Sequence, residues 1–263
     1  MPYATVNSVQ LHYELEGQGH PVVLLHPVGL DLTCWTAQVQ VLASEFRVLR
    51  VDLRGHGRSA VPPPPYTLGG LASDVHALLH HLGLFPAHVI GLSVGGMVAQ
   101  LLALEYAQDV SSLVLADTNS TLPQDARPAM IERGEAARRE GMARVVDSTL
   151  QRWFTEGFMQ SDVVATCRER LLADDATGWA ATWRAISELD TEPRLKEIKV
   201  PTLVITGELD VSAPVSRARA MADLIPGALL HVVPGAPHMA PLEQPQLFNA
   251  PVLKFLRGLP RTR

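Results

Sequence analysis

Short apolar runs recur along this chain, separated by longer stretches whose apolar residues fall three and four apart. Near the start, Val9, Leu11 and Tyr13 alternate with Gln10, His12 and Glu14. That period of two predicts a half-buried antiparallel strand, with residues 4–6 placed to pair with it as a hairpin. Residues 22–25, 47–51, 89–90, 113–116, 203–206 and 229–233 are mostly continuous apolar runs. Such runs fit strands covered on both faces. Between them, residues 35–42, 66–82, 97–106 and 246–256 carry helical stripes. In 66–82 the stripe is Leu68, Leu71, Val75, Leu78, Leu79 and Leu82. Alternating strands and helices predict an α/β fold, a mostly parallel twisted sheet with helices on both faces.

One stretch breaks the rhythm. From residue 117 to 200 no strand pattern stands out, and the segment is rich in Ala, Arg and Glu. It holds Trp153, Trp179 and Trp183, three of the four tryptophans. Pro123 and Pro128 mark its beginning, and Pro193 and Pro201 its end. The division this predicts is a core of residues 1–118 and 196–263, with residues 119–195 inserted as a helical cap. Most cap arginines read as solvated helix faces. A cap over a cleft must still present some apolar surface to a ligand, and the three tryptophans are the candidates.

The densest chemical signal is the hexapeptide Gly91-Leu92-Ser93-Val94-Gly95-Gly96, which follows a predicted strand and opens a predicted helix. Strand, tight Gly-x-Ser-x-Gly turn and helix together make a nucleophile elbow, which lifts a serine hydroxyl clear of the backbone. A serine hydroxyl needs a base to take its proton and a carboxylate to orient that base. In elbow enzymes the acid follows the serine and the histidine comes last. Asp210, after the run 203–206, and His238, after the run 229–233, occupy those places at the same sheet edge as Ser93. Asp117, at the end of the run 113–116, is an alternative acid.

Two backbone N–H groups should stabilise the oxyanion. Val94 follows the nucleophile, and Val28 lies in the loop His26-Pro27-Val28-Gly29 after the third strand. His26 would then buttress that loop. His56, in Arg54-Gly55-His56-Gly57, reads as a turn residue. His76, His80 and His81 share one amphipathic helix and have no reason to reach Ser93.

Taken together, the motifs HPVG, DLRGHGRS, GLSVGG, VPTLVITGELD and PGAPHM resemble the α/β-hydrolase superfamily over essentially the whole chain. A closer resemblance is to the 3-oxoadipate enol-lactonases. It is carried by Asp31 to Trp35, by Phe46-Arg47-Val48-Leu49-Arg50, and by the cap segments Arg152-Trp153-Phe154-Thr155 and 178–190. The resemblance implies Ser93 as nucleophile, Asp210 as orienting acid, His238 as base and Val28 and Val94 as oxyanion donors. Those lactonases commonly carry an Asn-Ser-Leu-Gly type of oxyanion loop, where this chain has His-Pro-Val-Gly. No basic residue follows Ala116 to meet a substrate carboxylate. Arg152, beside Trp153, is then the first candidate for that contact, and Met239, beside His238, a further candidate substrate contact.

Composition narrows the reading. The 263 residues are 47% hydrophobic and 19% charged, with a net charge of −5, which gives no electrostatic case for nucleic acid or an anionic membrane. No apolar run is long enough to span a bilayer, and the N-terminus lacks the pattern of a signal peptide. Two cysteines far apart, Cys34 and Cys167, fit a reducing compartment, so a cytoplasmic location is expected. No Cys/His cluster shows metal-ligand spacing, and there is no Gly-rich phosphate loop. The expectation is a cofactor-free serine hydrolase acting on a small-molecule ester or lactone. C–C bond hydrolysis of a ring-cleavage product and perhydrolysis remain open on the same triad, as does a hydrolase-fold receptor for a small molecule. Epoxide hydrolases and haloalkane dehalogenases are disfavoured, because they need an aspartate where Ser93 stands.

Overall fold

The computed structural model describes residues 2–259. Eight strands form one sheet: β1 (Tyr3–Val6), β2 (Val9–Glu16), β3 (Pro21–Leu25), β4 (Arg47–Val51), β5 (Ala87–Leu92), β6 (Val110–Ala116), β7 (Thr202–Gly207) and β8 (Leu229–Val233). Their order is β1-β2-β4-β3-β5-β6-β7-β8. β1 pairs with β2 and β2 with β4 in antiparallel register, and the remaining pairs are parallel. Five of the six continuous apolar runs are interior strands, whereas the sixth, 229–233, is the edge strand β8, in which only Val233 is buried and Leu229 is exposed because no further strand covers it. In β5 every residue is buried, as it is in β7. The elbow strand is longer than the run 89–90 because Ala87 and His88 extend the ladder at one end and Gly91 and Leu92 at the other.

The core helices are α1 (Thr36–Leu42), α2 (Leu68–Leu82) and α3 (Val94–Glu105). α2 and α3 pack together, and α3 lies against β3, β5 and β6. The helical pattern at 35–42 divides in two. A 3₁₀ turn, Leu32–Trp35, capped by the Asp31 side chain, precedes α1. Helix α2 starts at Leu68, where the Thr67 side chain accepts from Gly70 N, and ends at Gly83 in the left-handed conformation.

Between β6 and β7 the chain builds four α-helices: α4 (Arg127–Glu140), α5 (Ala143–Trp153), α6 (Asp162–Leu172) and α7 (Ala176–Ser187). The outgoing and returning chains meet at one neck. Thr121 bridges Asp190, and Thr191 N donates to Ser120 O at 2.8 Å. Helix α4 packs along α7, with Gly134 against Ala180 and Trp183. After β7 come α8 (Val215–Leu224), then, past β8, α9 (Ala240–Glu243) and α10 (Pro245–Arg257), which packs against α1. The molecule therefore has the α/β-hydrolase architecture, a mostly parallel sheet flanked by helices with an inserted helical cap. Among the described residues, no helix is long and apolar enough to cross a membrane.

Candidate active site

Ser93 stands between the last residue of β5 and the first of α3, with φ 55° and ψ −116°. A β-region serine could not make that turn, and the surrounding residues account for it. A Cβ on Gly91 would run into the Gly95 carbonyl, and one on Gly95 would run into the Leu25 carbonyl. The backbone on both sides of the serine is therefore too close to its neighbours for any side chain. Ser93 N donates to Ala116 O at 2.9 Å, and Thr118 Oγ1 donates to Ser93 O at 2.7 Å, so β6 holds the strained turn in place.

His238 and Asp210 come from loops after β8 and β7. His238 Nε2 lies 3.2 Å from Ser93 Oγ, and His238 Nδ1 lies 2.8 Å from Asp210 Oδ2. The other oxygen of Asp210 accepts from Ser212 N at 2.6 Å and Ala213 N at 2.9 Å. Burial raises the Asp210 carboxyl, but the His238 ring and these donors outweigh it and hold it below the usual carboxylate range. An ionised Asp210 fixes the proton on Nδ1 and leaves Nε2 as an acceptor facing the serine hydroxyl.

Asp117, the alternative acid, does not reach His238. Its backbone has φ 44°, and its Oδ1 accepts from Gly207 N at 2.7 Å. Complete burial, with the Asp210 charge nearby, pushes its carboxyl well above the usual range. Burial thus favours the neutral form of this carboxyl beside the Asp210 carboxylate.

The two expected oxyanion donors sit where the chain leaves them free. Val94 is the first residue of α3, and the first N–H groups of a helix have no intrahelical acceptor. Val28 borders the same cavity as Ser93. Its loop is a tight turn, with Leu30 N donating to Pro27 O at 3.4 Å and Gly29 at φ 80°. His26 holds that loop. Its Nδ1 donates to Pro27 O at 2.7 Å, and its Nε2 accepts from Leu53 N at 2.9 Å. Burial, with His56 alongside, lowers its pKa to about 4, so it is a neutral buttress. His56 stays in its turn, with Nδ1 donating to Arg54 O at 3.1 Å.

The cavity above Ser93 and His238 has a core wall of Val28, Met97, Asn119 and Ser212. Its cap wall is Leu122, Met130, Arg133, Arg152, Trp153, Trp183 and Ile186. Three of the candidate substrate contacts, Arg152, Trp153 and Trp183, are there. Trp179 and Met239 are not. Trp179 is fully buried, and its ring presses on Gly29 of the oxyanion loop. Its place is structural, because α7 turns that indole into the cap–core seam. Met239 is also fully buried, and its N–H donates to Trp153 O at 3.1 Å. It ties the histidine loop to α5.

Arg133 is a lining residue that the sequence pattern does not single out. It lies in the polar helix α4, where its neighbours Arg138 and Arg139 are ordinary exposed ion-pairing residues. Its guanidinium lies 5.2 Å from the Trp183 ring centroid and donates to Thr149 Oγ1 at 2.6 Å. Burial and the neighbouring Arg152 lower its pKa to about 10, so it remains a cation at neutral pH. Arg152 reaches Ser212 Oγ at 3.4 Å. Among the described residues, neither arginine forms an ion pair with a carboxylate.

Comparison with known proteins identifies the family. The family model described as "alpha/beta hydrolase fold" matches residues 20–245. The chain is 31% identical to a 3-oxoadipate enol-lactonase of Acinetobacter baylyi, over 93% of this chain and 92% of that protein. It superposes on the enol-lactonase from Burkholderia xenovorans with a TM-score of 0.94, at 36% identity over 97% of this chain and 100% of the other. A thermophilic esterase from Thermogutta terrifontis, solved with malate bound, gives a TM-score of 0.92 at 33% identity, covering 97% of each chain. The chain belongs to the α/β-hydrolase superfamily and is an enzyme related to lactonases and esterases, with close homology to the 3-oxoadipate enol-lactonases.

Proposed function

We propose that this enzyme hydrolyses a small carboxylic ester or lactone that carries a free carboxylate of its own, through an acyl intermediate on Ser93. The observation that carries the reading is the cavity itself. It joins Ser93 and His238 to two arginines, Arg133 and Arg152, that have no carboxylate partner among the described residues. A carboxylate entering this space must be compensated for lost hydration, and a charge-assisted contact with a guanidinium does so. The homology to enol-lactonases and the malate bound to the Thermogutta terrifontis esterase support the same class of ligand.

In this reading Ser93 Oγ attacks the acyl carbon as His238 Nε2 takes its proton. The carbonyl oxygen becomes an oxyanion in front of the Val28 and Val94 N–H groups. Asp210 steadies the resulting imidazolium. The C–O bond to the leaving alkoxide or enolate breaks as His238 returns the proton to it. A water molecule, deprotonated by His238, then attacks the acyl carbon and frees Ser93. No step calls for a metal or an organic cofactor. Arg133 and Arg152 meet the spectator carboxylate, and Trp153 and Trp183 exclude water around it.

The test is the ratio of kcat/KM for a carboxylated lactone to that for its neutral methyl ester. The expected ratio is well above one. A native enzyme that prefers neutral, apolar esters would remove the carboxylate from the proposal and leave a general esterase.

A further inference from the structure

The edge of the sheet opposite Ser93 carries a second cluster. His76 and His80 lie one turn apart on α2, and Asp109 closes the 3₁₀ turn that leads into β6. A single oxygen, Asp109 Oδ2, faces His76 Nδ1 at 2.7 Å and His80 Nε2 at 2.8 Å. The three atoms all lie within 4.8 Å of one another. Asp109 is 2% exposed, so its carboxylate is shielded from water and turned onto the two imidazoles. Both rings are already oriented. His76 stacks on Tyr106 with centroids 3.9 Å apart, and His80 stacks on Phe85 at 3.8 Å. The sequence pattern did not reveal this group because the carboxylate comes from 29 residues beyond His80.

We propose that His76, His80 and Asp109 form a binding site for a divalent transition-metal ion, with zinc the best match. Two imidazoles and one carboxylate are the borderline donors that zinc, cobalt and nickel take, whereas calcium and magnesium require oxygen donors. A zinc ion about 2.0–2.2 Å from each atom in tetrahedral geometry needs its ligand atoms roughly 3.3–3.6 Å apart, so the two contacts to Asp109 would lengthen from 2.7 and 2.8 Å by somewhat more than half an ångström. His80 is partly exposed, which leaves an approach from solvent and room for water to complete the coordination. Held in this way, the ion clamps the last turns of α2 to the start of β6. It takes no part in hydrolysis, because Ser93, Asp210 and His238 follow the carboxyl ends of β5, β7 and β8.

The full chain, free of any histidine tag and dialysed against a chelator, is titrated at pH 7.5 with Zn²⁺ by calorimetry and with Co²⁺ by visible absorption. The expected result is one equivalent bound, with cobalt ligand-field bands and no thiolate charge-transfer band. Saturation at 100 times Kd should raise Tm by about 5 °C or more. His76→Gln and His80→Gln should each weaken binding more than about tenfold while leaving ester turnover unchanged. That turnover is also the control that both variants are folded. Zinc binding no tighter than millimolar, or binding equally tight in the two variants, overturns the proposal.

Discussion

The guanidinium of Arg133 lies over the indole of Trp183, 5.2 Å from the ring centroid, and both side chains border the cavity that contains Ser93. The pair presents a half-buried cation and an apolar wall at one place, which suits a small substrate with a charged end. Arg133→Leu should lower kcat/KM for a carboxylated lactone by about 10–100-fold, the scale of one lost charge-assisted contact. A neutral methyl ester should lose far less. Arg152→Ala should act in the same direction but more weakly, since that side chain is exposed and screened by water. Equal losses on acid and ester, measured side by side, would show that the arginines only support the cap.

The two buried aspartates make a second comparison. Asp210→Asn should cost about four orders of magnitude in kcat, because the amide offers a donor where His238 Nδ1–H needs an acceptor. Asp117→Asn should cost much less. Asp117 Oδ1 is taken up by Gly207 N, and an amide oxygen can still accept that bond. Steady-state kinetics on both variants decide the point, and a reversed order would assign the orienting role to Asp117.

Stability should fall on the acid side for a reason away from the catalytic edge. His88 Nδ1 pairs with Ser112 Oγ at 2.8 Å, and burial, with His20 beside it, lowers its pKa to about 4. The unfolded chain binds this proton below about pH 6.5, and the folded chain only below about 4. Between those values the unfolded state holds more protons, so stability drops as pH falls through the window. His88→Gln should remove about 2 kcal/mol of that drop. Urea unfolding of both proteins at pH 4.5 and pH 7 measures it, and parallel pH dependences would contradict the assignment.

The core was legible because burial writes periodicity. A strand covered on both faces reads as a continuous run, and β3, β4 and β7 were visible as such. β8 carries the same apolar run but lies at the sheet edge with only Val233 buried, because its run does not encode which strand ends the sheet. Ser93 was legible because its turn admits only glycine at Gly91 and Gly95. The cap was harder. Trp179 and Trp183 are four apart on α7 and look equivalent in sequence, yet one ring is pressed into the oxyanion loop and the other faces the cavity. Which ring faces which side depends on how α7 docks, and no local pattern encodes that. Arg133 was hidden similarly, among arginines that differ from it only in what α7 places opposite them.

The central claim is that Ser93 is the nucleophile. An active-site-directed fluorophosphonate loses fluoride as a serine oxygen bonds to phosphorus, so peptide mass mapping identifies the attacking residue directly. One adduct per chain is predicted, on the peptide containing Ser93, with no labelling of Ser93→Ala and a fall of about four to six orders of magnitude in its kcat. An adduct on another residue, or a Ser93→Ala variant that still turns over ester at the native rate, would contradict the account.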